Sequence, residues 1–225
     1  MKSALFTACA ALLVLAPMAV ADWSDNFDSY VLGSGLHGQG GWEGWQGDST
    51  YDAYVSDLQA CSSPHSAAIT PTSDIVHPFA DSLGEWEMTA WCYIPTGSAG
   101  DQYFIMLNQY YPDPNNWSVQ LQFDSDAGNV IDYYSSSTTP IINDQWVEVK
   151  VEIHFSNSTY DLYYNGAFLA SWNWQTGGSD KIAALDLFAD PTSSPTTIFW
   201  DDLELVQTSI ALQQSTWGGI KAIMQ

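Results

Sequence analysis

Arginine is absent from this sequence, and its 4 basic residues, all lysine, face 26 Asp and Glu in a chain of 225. Binding to nucleic-acid phosphates or to an anionic membrane surface needs clustered Lys and Arg, so the charge balance sets both partners aside. Histidine is equally sparse: His37, His65, His77 and His154 show no spacing that would hold zinc. No stretch beyond residue 21 approaches the roughly 20 consecutive apolar residues of a membrane-spanning helix. There is also no Gly-x-Ser-x-Gly elbow and no phosphate-binding loop. Only 3 cysteines occur, too few for a disulfide-built miniature fold.

What remains is apolar and aromatic. Hydrophobic residues make up 46% of the chain and charged ones 13%, which supplies a core and separates this chain from disordered acidic tails. The 11 Trp, 12 Tyr and 9 Phe, beside 16 Gly and 10 Pro, suit a turn-rich β domain with aromatic contact surfaces. Residues 1–21 carry Lys2, an uncharged apolar stretch from Ala4 to Met18 and then Ala19-Val20-Ala21. This pattern predicts a secretory signal peptide, a mature chain starting at Asp22, and a secreted or cell-surface location. Cys9 falls in the leader, leaving Cys61 and Cys92. In an oxidising compartment they form either one disulfide, worth about 3 to 4 kcal/mol in the chain-entropy model, or two free thiols.

Period-two alternation runs through the chain. Val147, Val149, Val151, Ile153 and Phe155 share one face, while Glu148, Lys150, Glu152 and His154 share the other. Met88, Ala90, Cys92 and Ile94 alternate with Glu87, Thr89, Trp91 and Tyr93; Trp117, Val119, Leu121 and Phe123 alternate with Ser118, Gln120 and Gln122. Asn165-Gly166 and Asp126-Ala127-Gly128-Asn129 fall between such runs and predict hairpins. About a dozen short strands without crossover helices define an all-β fold, a two-sheet antiparallel β-sandwich of jelly-roll type over residues 22–206. Residues 207–225 read as a tail in which Trp217, Ile220, Ile223 and Met224 could form one apolar side of a short helix, a docking or sorting element.

The phrases Trp91-Cys-Tyr-Ile-Pro, Tyr103-Phe-Ile-Met-Leu-Asn, Asn116-Trp-Ser-Val-Gln, Gln145-Trp-Val-Glu-Val-Lys-Val-Glu-Ile, Leu187-Phe and Trp200-Asp-Asp-Leu carry a resemblance. Together they resemble secreted bacterial domains of the laminin-G-like, concanavalin A-like jelly-roll superfamily. That resemblance implies two curved sheets, commonly carbohydrate-binding, sometimes hydrolytic, and often with a structural calcium. In such jelly rolls the first and last strands tend to be neighbours, which makes Asp25, Asp28, Asp201 and Asp202 the candidate Ca²⁺ ligands, completed by backbone carbonyls. The oxygen-rich segment from Asp124 to Asn129 is explained by its hairpin turn.

Sugars offer C–H faces to aromatic rings and hydroxyls to amides and carboxylates, so a binding face should interleave the two residue types. Trp91 and Tyr93 on one strand, with Gln120 and Gln122 on a neighbour and Asn108 and Tyr133 alongside, are the expected concave face. Trp42 and Trp45, in the Gly-rich segment Trp42-Glu-Gly-Trp45, could form its rim, as could Trp172 and Trp174. Hydrolysis would need two carboxylates about 5 to 5.5 Å or 6.5 to 9.5 Å apart. Glu148-x-Lys150-x-Glu152 resembles the Glu-x-Asp-x-Glu strand of laminarinase-type hydrolases only in outline, because Lys150 replaces the Asp. Glu85-Trp86-Glu87 is no better a match, and a uronate lyase would lack the usual Arg. The expected function is a secreted, non-catalytic, lectin-like module with a structural calcium, binding a neutral or basic glycan. The alternatives are an adhesion, assembly or matrix protein and a glycan-degrading enzyme with a divergent site. Asn116-Trp-Ser and Asn157-Ser-Thr match the N-glycosylation pattern.

Overall fold

A strand with alternating apolar side chains has one face to hide, and two such sheets can hide theirs against each other. A computed structural model of the protein describes residues 22–81 and 84–209 and shows this arrangement. The first strands are β1 (Trp23–Asp25), β2 (Glu43–Gly44), β3 (Tyr54–Ser56), β4 (Ser66–Ile69) and β5 (Asp74–Asp81). They are followed by β6 (Glu85–Tyr93), β7 (Asp101–Gln109), β8 (Asn116–Asp124), β9 (Asn129–Asp132) and β10 (Thr138–Pro140). The last are β11 (Trp146–His154), β12 (Thr159–Tyr164), β13 (Ala167–Asn173), β14 (Ile182–Ala189) and β15 (Ile198–Ser209). One sheet, here sheet I, has the order β13-β12-β11-β6-β15-β4-β3, with β1 added beside β15; the other, sheet II, has the order β10-β9-β8-β7-β14-β5-β2. Every pairing is antiparallel.

The expected all-β sandwich is therefore present. The three shortest additions to the expected strands, β1, β2 and β10, cover two or three residues each and carry too little pattern to read. The expected adjacency of first and last strands holds, since Trp23 pairs with Leu205 and Asp25 with Leu203. Asn165 and Gly166 both take positive φ, 52° and 71°, as the tight β12–β13 hairpin requires. The signal-peptide segment and Trp217, Ile220, Ile223 and Met224 of the tail lie outside the described residues.

The core is the layer between the sheets. Val147, Val149, Val151 and Ile153 point inward from β11, and Met88, Ala90 and Cys92 do the same from β6. From sheet II, Phe104, Leu121 and Phe123 meet Trp200, whose ring centroid lies 5.5 Å from Phe104 and 5.7 Å from Phe123. Cys92 is buried in this layer and Cys61 is exposed in its loop; both are free thiols. The outer face of sheet I carries the charges: Lys150 sits 2.5 Å from Glu152 and 3.5 Å from Glu87 and lies over the Tyr163 ring. His154 Nδ1 meets Glu85 at 2.6 Å. These are half-exposed pairs of the kind that contribute about 1 kcal/mol or less.

Trp200 tests the weight of the core. It is fully buried and its indole N–H has no partner. Trp200→Ala should cost about 3 to 5 kcal/mol in urea unfolding, whereas Trp200→Phe should cost much less, because it keeps most of the ring contact and removes the orphaned donor.

Candidate functional site

Strand β14 reads Ile182-Ala-Ala-Leu-Asp-Leu-Phe-Ala, an apolar run buried along almost its whole length and broken by one acid, Asp186. It lies between β5 and β7 in the interior of sheet II. Leu185 and Leu187 enter the core, so Asp186 and Phe188 project from the opposite face of the sheet. Asp186 pairs with Val76 of β5 and Ile105 of β7; Phe188 pairs with Asp74 and Tyr103. Asp74 and Asp186 are thus diagonal neighbours on one face, close enough to share a side-chain hydrogen bond.

Around this pair the outer face of sheet II forms a cleft of about 470 Å³ lined by Trp45, Tyr103, Ile105, Trp117, Gln120, Tyr133 and Phe188 together with the two acids. Tyr103 and Phe188 stack at 5.7 Å, and Trp45 faces Trp117 at 6.5 Å with only 16° between their planes. Trp45 is held by a T-shaped contact to Tyr110 at 5.4 Å, and the Tyr110 hydroxyl accepts the Gln46 backbone N–H at 2.8 Å. Gln120 donates to the Tyr134 hydroxyl, which donates to the Trp117 carbonyl.

Trp117 reaches the cleft through a bulge. Met106 pairs with Val119 and Leu107 with Trp117, so Ser118 is the extra residue on β8. The uninterrupted alternation that would place Trp117 in the core with Val119, Leu121 and Phe123 is reversed there, and the indole turns outward to the face of Gln120.

The electrostatics of the acid pair are unusual. Asp186 is 3% exposed, and burial holds its carboxyl well above the usual range, with the charge of Asp74 adding to the shift. Burial also pushes Asp74 up to about 6, opposed by the hydrogen bond from Asp186. Asp186 is therefore the proton holder and Asp74 the acceptor. Oδ1 of each is buried, and no donor other than the proton that the pair shares reaches it.

The expected ligand residues separate into three groups. Trp45, Gln120 and Tyr133 line the cleft. Gln122 is on the same face, donating to Asp101 at 2.9 Å. Trp91 and Tyr93 do not neighbour Gln120 and Gln122: they project from sheet I, opposite Glu148 and Trp146, because β6 and β8 belong to different sheets. Asn108 is fully buried, bonding Asn116, the Trp174 carbonyl and Ser179, so it ties a loop rather than meeting solvent. Trp42 is a core plug, 1% exposed, whose indole donates to Asp25 at 2.9 Å; Trp174 is likewise buried, while Trp172 is exposed on β13. Asp74, Asp186, Tyr103, Phe188 and the outward turn of Trp117 were not singled out by the sequence reading. The one signal was an acid in the middle of an apolar strand.

Of the residues expected to hold calcium, Asp25 and Asp202 line one cleft together with Glu204, while Asp28 and Asp201 bind backbone N–H groups of the loop at residues 61–65. Asp25 accepts the Phe27 N–H, the Tyr30 hydroxyl and the Trp42 indole; Asp28 accepts the His65 N–H and the Asn26 amide. Asp201, fully buried and pushed up to about 7 by that burial, accepts the N–H groups of Cys61, Ser62 and Asp202. Asp202 takes the Ser62 hydroxyl. Among the described residues no three of these four bring ligand atoms within 4.8 Å of one another. Glu152, His154 and Asp161 do so on the outer face of sheet I, with Glu152 engaged by Lys150 and Tyr163.

No protein-family model and no curated protein matches the sequence. Among solved structures the fold is similar to that of a sialidase, with TM-score 0.60 and 11% identity over 85% of this chain and 19% of that one. It is also similar to the cellulose-induced protein Cip1, with TM-score 0.57 and 14% identity over 85% and 100% of the two chains. An endo-β-1,4-glucuronan lyase from the fungus Trichoderma reesei follows, with TM-score 0.53 and 9% identity over 84% and 96%. At these identities the likeness is one of fold: this is a jelly-roll β-sandwich of the type found in those proteins. The chain spans only a small part of the sialidase.

The raised carboxyls make a stability prediction. Folding lifts Asp74 from 3.8 to about 6, so between these values the folded state binds more protons than the unfolded one. Stability from this group is therefore fully present below pH 4 and lost as pH rises through 6. Asp74→Asn should gain on the order of 2 kcal/mol over the parent at pH 7, and that gain should vanish by pH 4 in paired urea titrations.

Proposed function

We propose that the protein is a secreted glycan-binding module whose ligand lies in the cleft on the outer face of sheet II. The observation that carries this reading is the cleft itself: five aromatic rings and the Gln120 amide surround a buried pair of acids. Aromatic faces receive the C–H surface of a sugar, and Gln120 offers an amide to its hydroxyls. The cleft crosses strands β5, β14, β7 and β8, so its residues stand on paired backbone rather than on loops, apart from Trp45 and Tyr133 at its ends. Such a surface is set before the ligand arrives, which reduces the ordering cost of binding. The jelly-roll fold supports the reading as a scaffold on which glycan sites are built; its activity must come from the site.

Polysaccharide hydrolysis fits the site less well. A two-carboxylate glycosidase keeps its acids about 5 Å or more apart, leaving space for the sugar or a water between them. Asp74 and Asp186 are in direct hydrogen-bonding contact. In this reading the pair forms the floor of the cleft.

Titration calorimetry against a panel of soluble oligosaccharides tests the proposal. Trp45→Ala and Trp117→Ala should each weaken binding by about tenfold, equivalent to about 1.4 kcal/mol, while Trp91→Ala on the opposite sheet should leave affinity unchanged. Loss of binding in Trp91→Ala with the two cleft variants unaffected would move the site to sheet I.

A further inference from the structure

We propose that the outer face of sheet I holds a transition-metal site, in which His154 Nε2 and one carboxylate oxygen from each of Glu152 and Asp161 bind a divalent ion of the zinc type. The site lies on the opposite side of the sandwich from the cleft and does not depend on the glycan reading.

Strand pairing places the three side chains. Glu152 and His154 are alternate residues of β11 and share its outer face, and the register sets Asp161 of β12 directly opposite Glu152. Two carboxylates facing each other across paired strands repel unless a cation lies between them. Ligand atoms of all three residues fall within 4.8 Å of one another, and in a chain with 26 acids no other three His, Cys, Asp or Glu do so among the described residues.

The hydrogen bonds select the nitrogen that faces the ion. Glu85 of β6 is the cross-strand partner of His154, and its Oε2 lies 2.6 Å from Nδ1. Ser156 hydrogen-bonds to the same carboxylate and fixes it. An ionised carboxylate only accepts, so Nδ1 is the donor and the neutral ring carries its lone pair on Nε2. A carboxylate that takes the far ring N–H in this way orients a metal-binding histidine and raises its basicity.

The spacing at Nε2 suits an ion better than a proton. Nε2 lies 3.5 Å from Oδ2 of Asp161, whereas a charge-assisted hydrogen bond closes to about 2.7 to 2.9 Å. Two ligands held at about 2.0 to 2.2 Å from one tetrahedral ion are separated by about 3.3 to 3.6 Å. A proton on Nε2 would serve Asp161 alone, while a divalent ion serves Glu152 as well. The face also has the charge to hold it, with Glu85, Glu87, Glu152 and Asp161 set against Lys150 and His154. Lys150 is the competitor for Glu152, at 2.5 Å, but it also reaches Glu87 at 3.5 Å and keeps that partner when the ion binds. One imidazole with two carboxylates suits Zn²⁺, which leaves its fourth position to water; Ca²⁺ would require six to eight oxygens.

Calorimetry on the full chain, stripped with a chelator and held at neutral pH in about 0.15 M salt, tests the site with Zn²⁺ and Ca²⁺ as probes. Zn²⁺ should bind at one ion per chain and at least tenfold more tightly than Ca²⁺. His154→Ala and Asp161→Asn should each weaken zinc binding at least tenfold, and Lys150→Met should strengthen it. Co²⁺ in place of zinc should show the intense visible absorption of a tetrahedral ion in the parent and lose it in His154→Ala. Binding of several zinc ions that is indifferent to His154→Ala would be diffuse attraction to a chain of charge −22 and would overturn the proposal. Calcium bound as tightly as zinc would overturn it too. Should His154→Ala not fold, Asp161→Asn decides: zinc affinity unchanged in that variant overturns the site.

Discussion

The sealing of one apolar face of each sheet against the other governs everything else in this molecule. Once Val147, Val149, Val151 and Ile153 face Phe104, Leu121, Phe123 and Trp200 across the interior, the period of two leaves the intervening residues no freedom. They must stand outside. The two outer faces were then open to diverge. Sheet I carries Lys150, Glu87, Glu152, His154 and Glu85 in a network of paired, half-exposed charges. Sheet II carries aromatic rings around two acids that have no counter-charge. The same packing rule thus produces one face that pairs most of its charges and one that is left incomplete.

That incompleteness is costly to the folded state. A carboxyl kept from water and from cations shifts toward its protonated form, and the shift is a direct measure of lost stability at neutral pH. Asp201 shows that the fold can bury an acid and still surround it with donors, since three backbone N–H groups reach it. Asp74 and Asp186 have no N–H donor on their Oδ1 atoms and rely on the hydrogen bond between them. A strand as apolar as β14 would accommodate a leucine or valine at position 186 without difficulty. An acid here, in place of an apolar residue, is a feature that packing alone does not account for.

The architecture was legible in the sequence because its signals are local. Alternation from Trp146 to His154 and the Asn165-Gly166 turn each specify a strand or a hairpin within a dozen residues. Which strands become neighbours is a non-local outcome, and there the reading went astray. Trp91 and Gln120 were matched by chemistry, yet β6 and β8 lie in opposite sheets. Trp45, Gln120 and Tyr133 were identified from residue type alone and do share the cleft. Asp186 was readable in principle as an acid inside an apolar strand, but its partner Asp74 lies 112 positions away in sequence, and only the β5–β14 pairing brings them together. Asn108 and Trp42 have the right chemistry for a ligand and the wrong burial, which composition does not reveal.

The bulge at Ser118 decides which side of the sheet receives Trp117. In an unbulged strand the two-residue spacing of Trp117 and Val119 would put both on the core face, and the cleft would lose its indole. The contents of the cleft therefore depend on the pairing register of β8 as well as on residue type. A slip of one residue in that pairing would remake this face as thoroughly as a change of side chain.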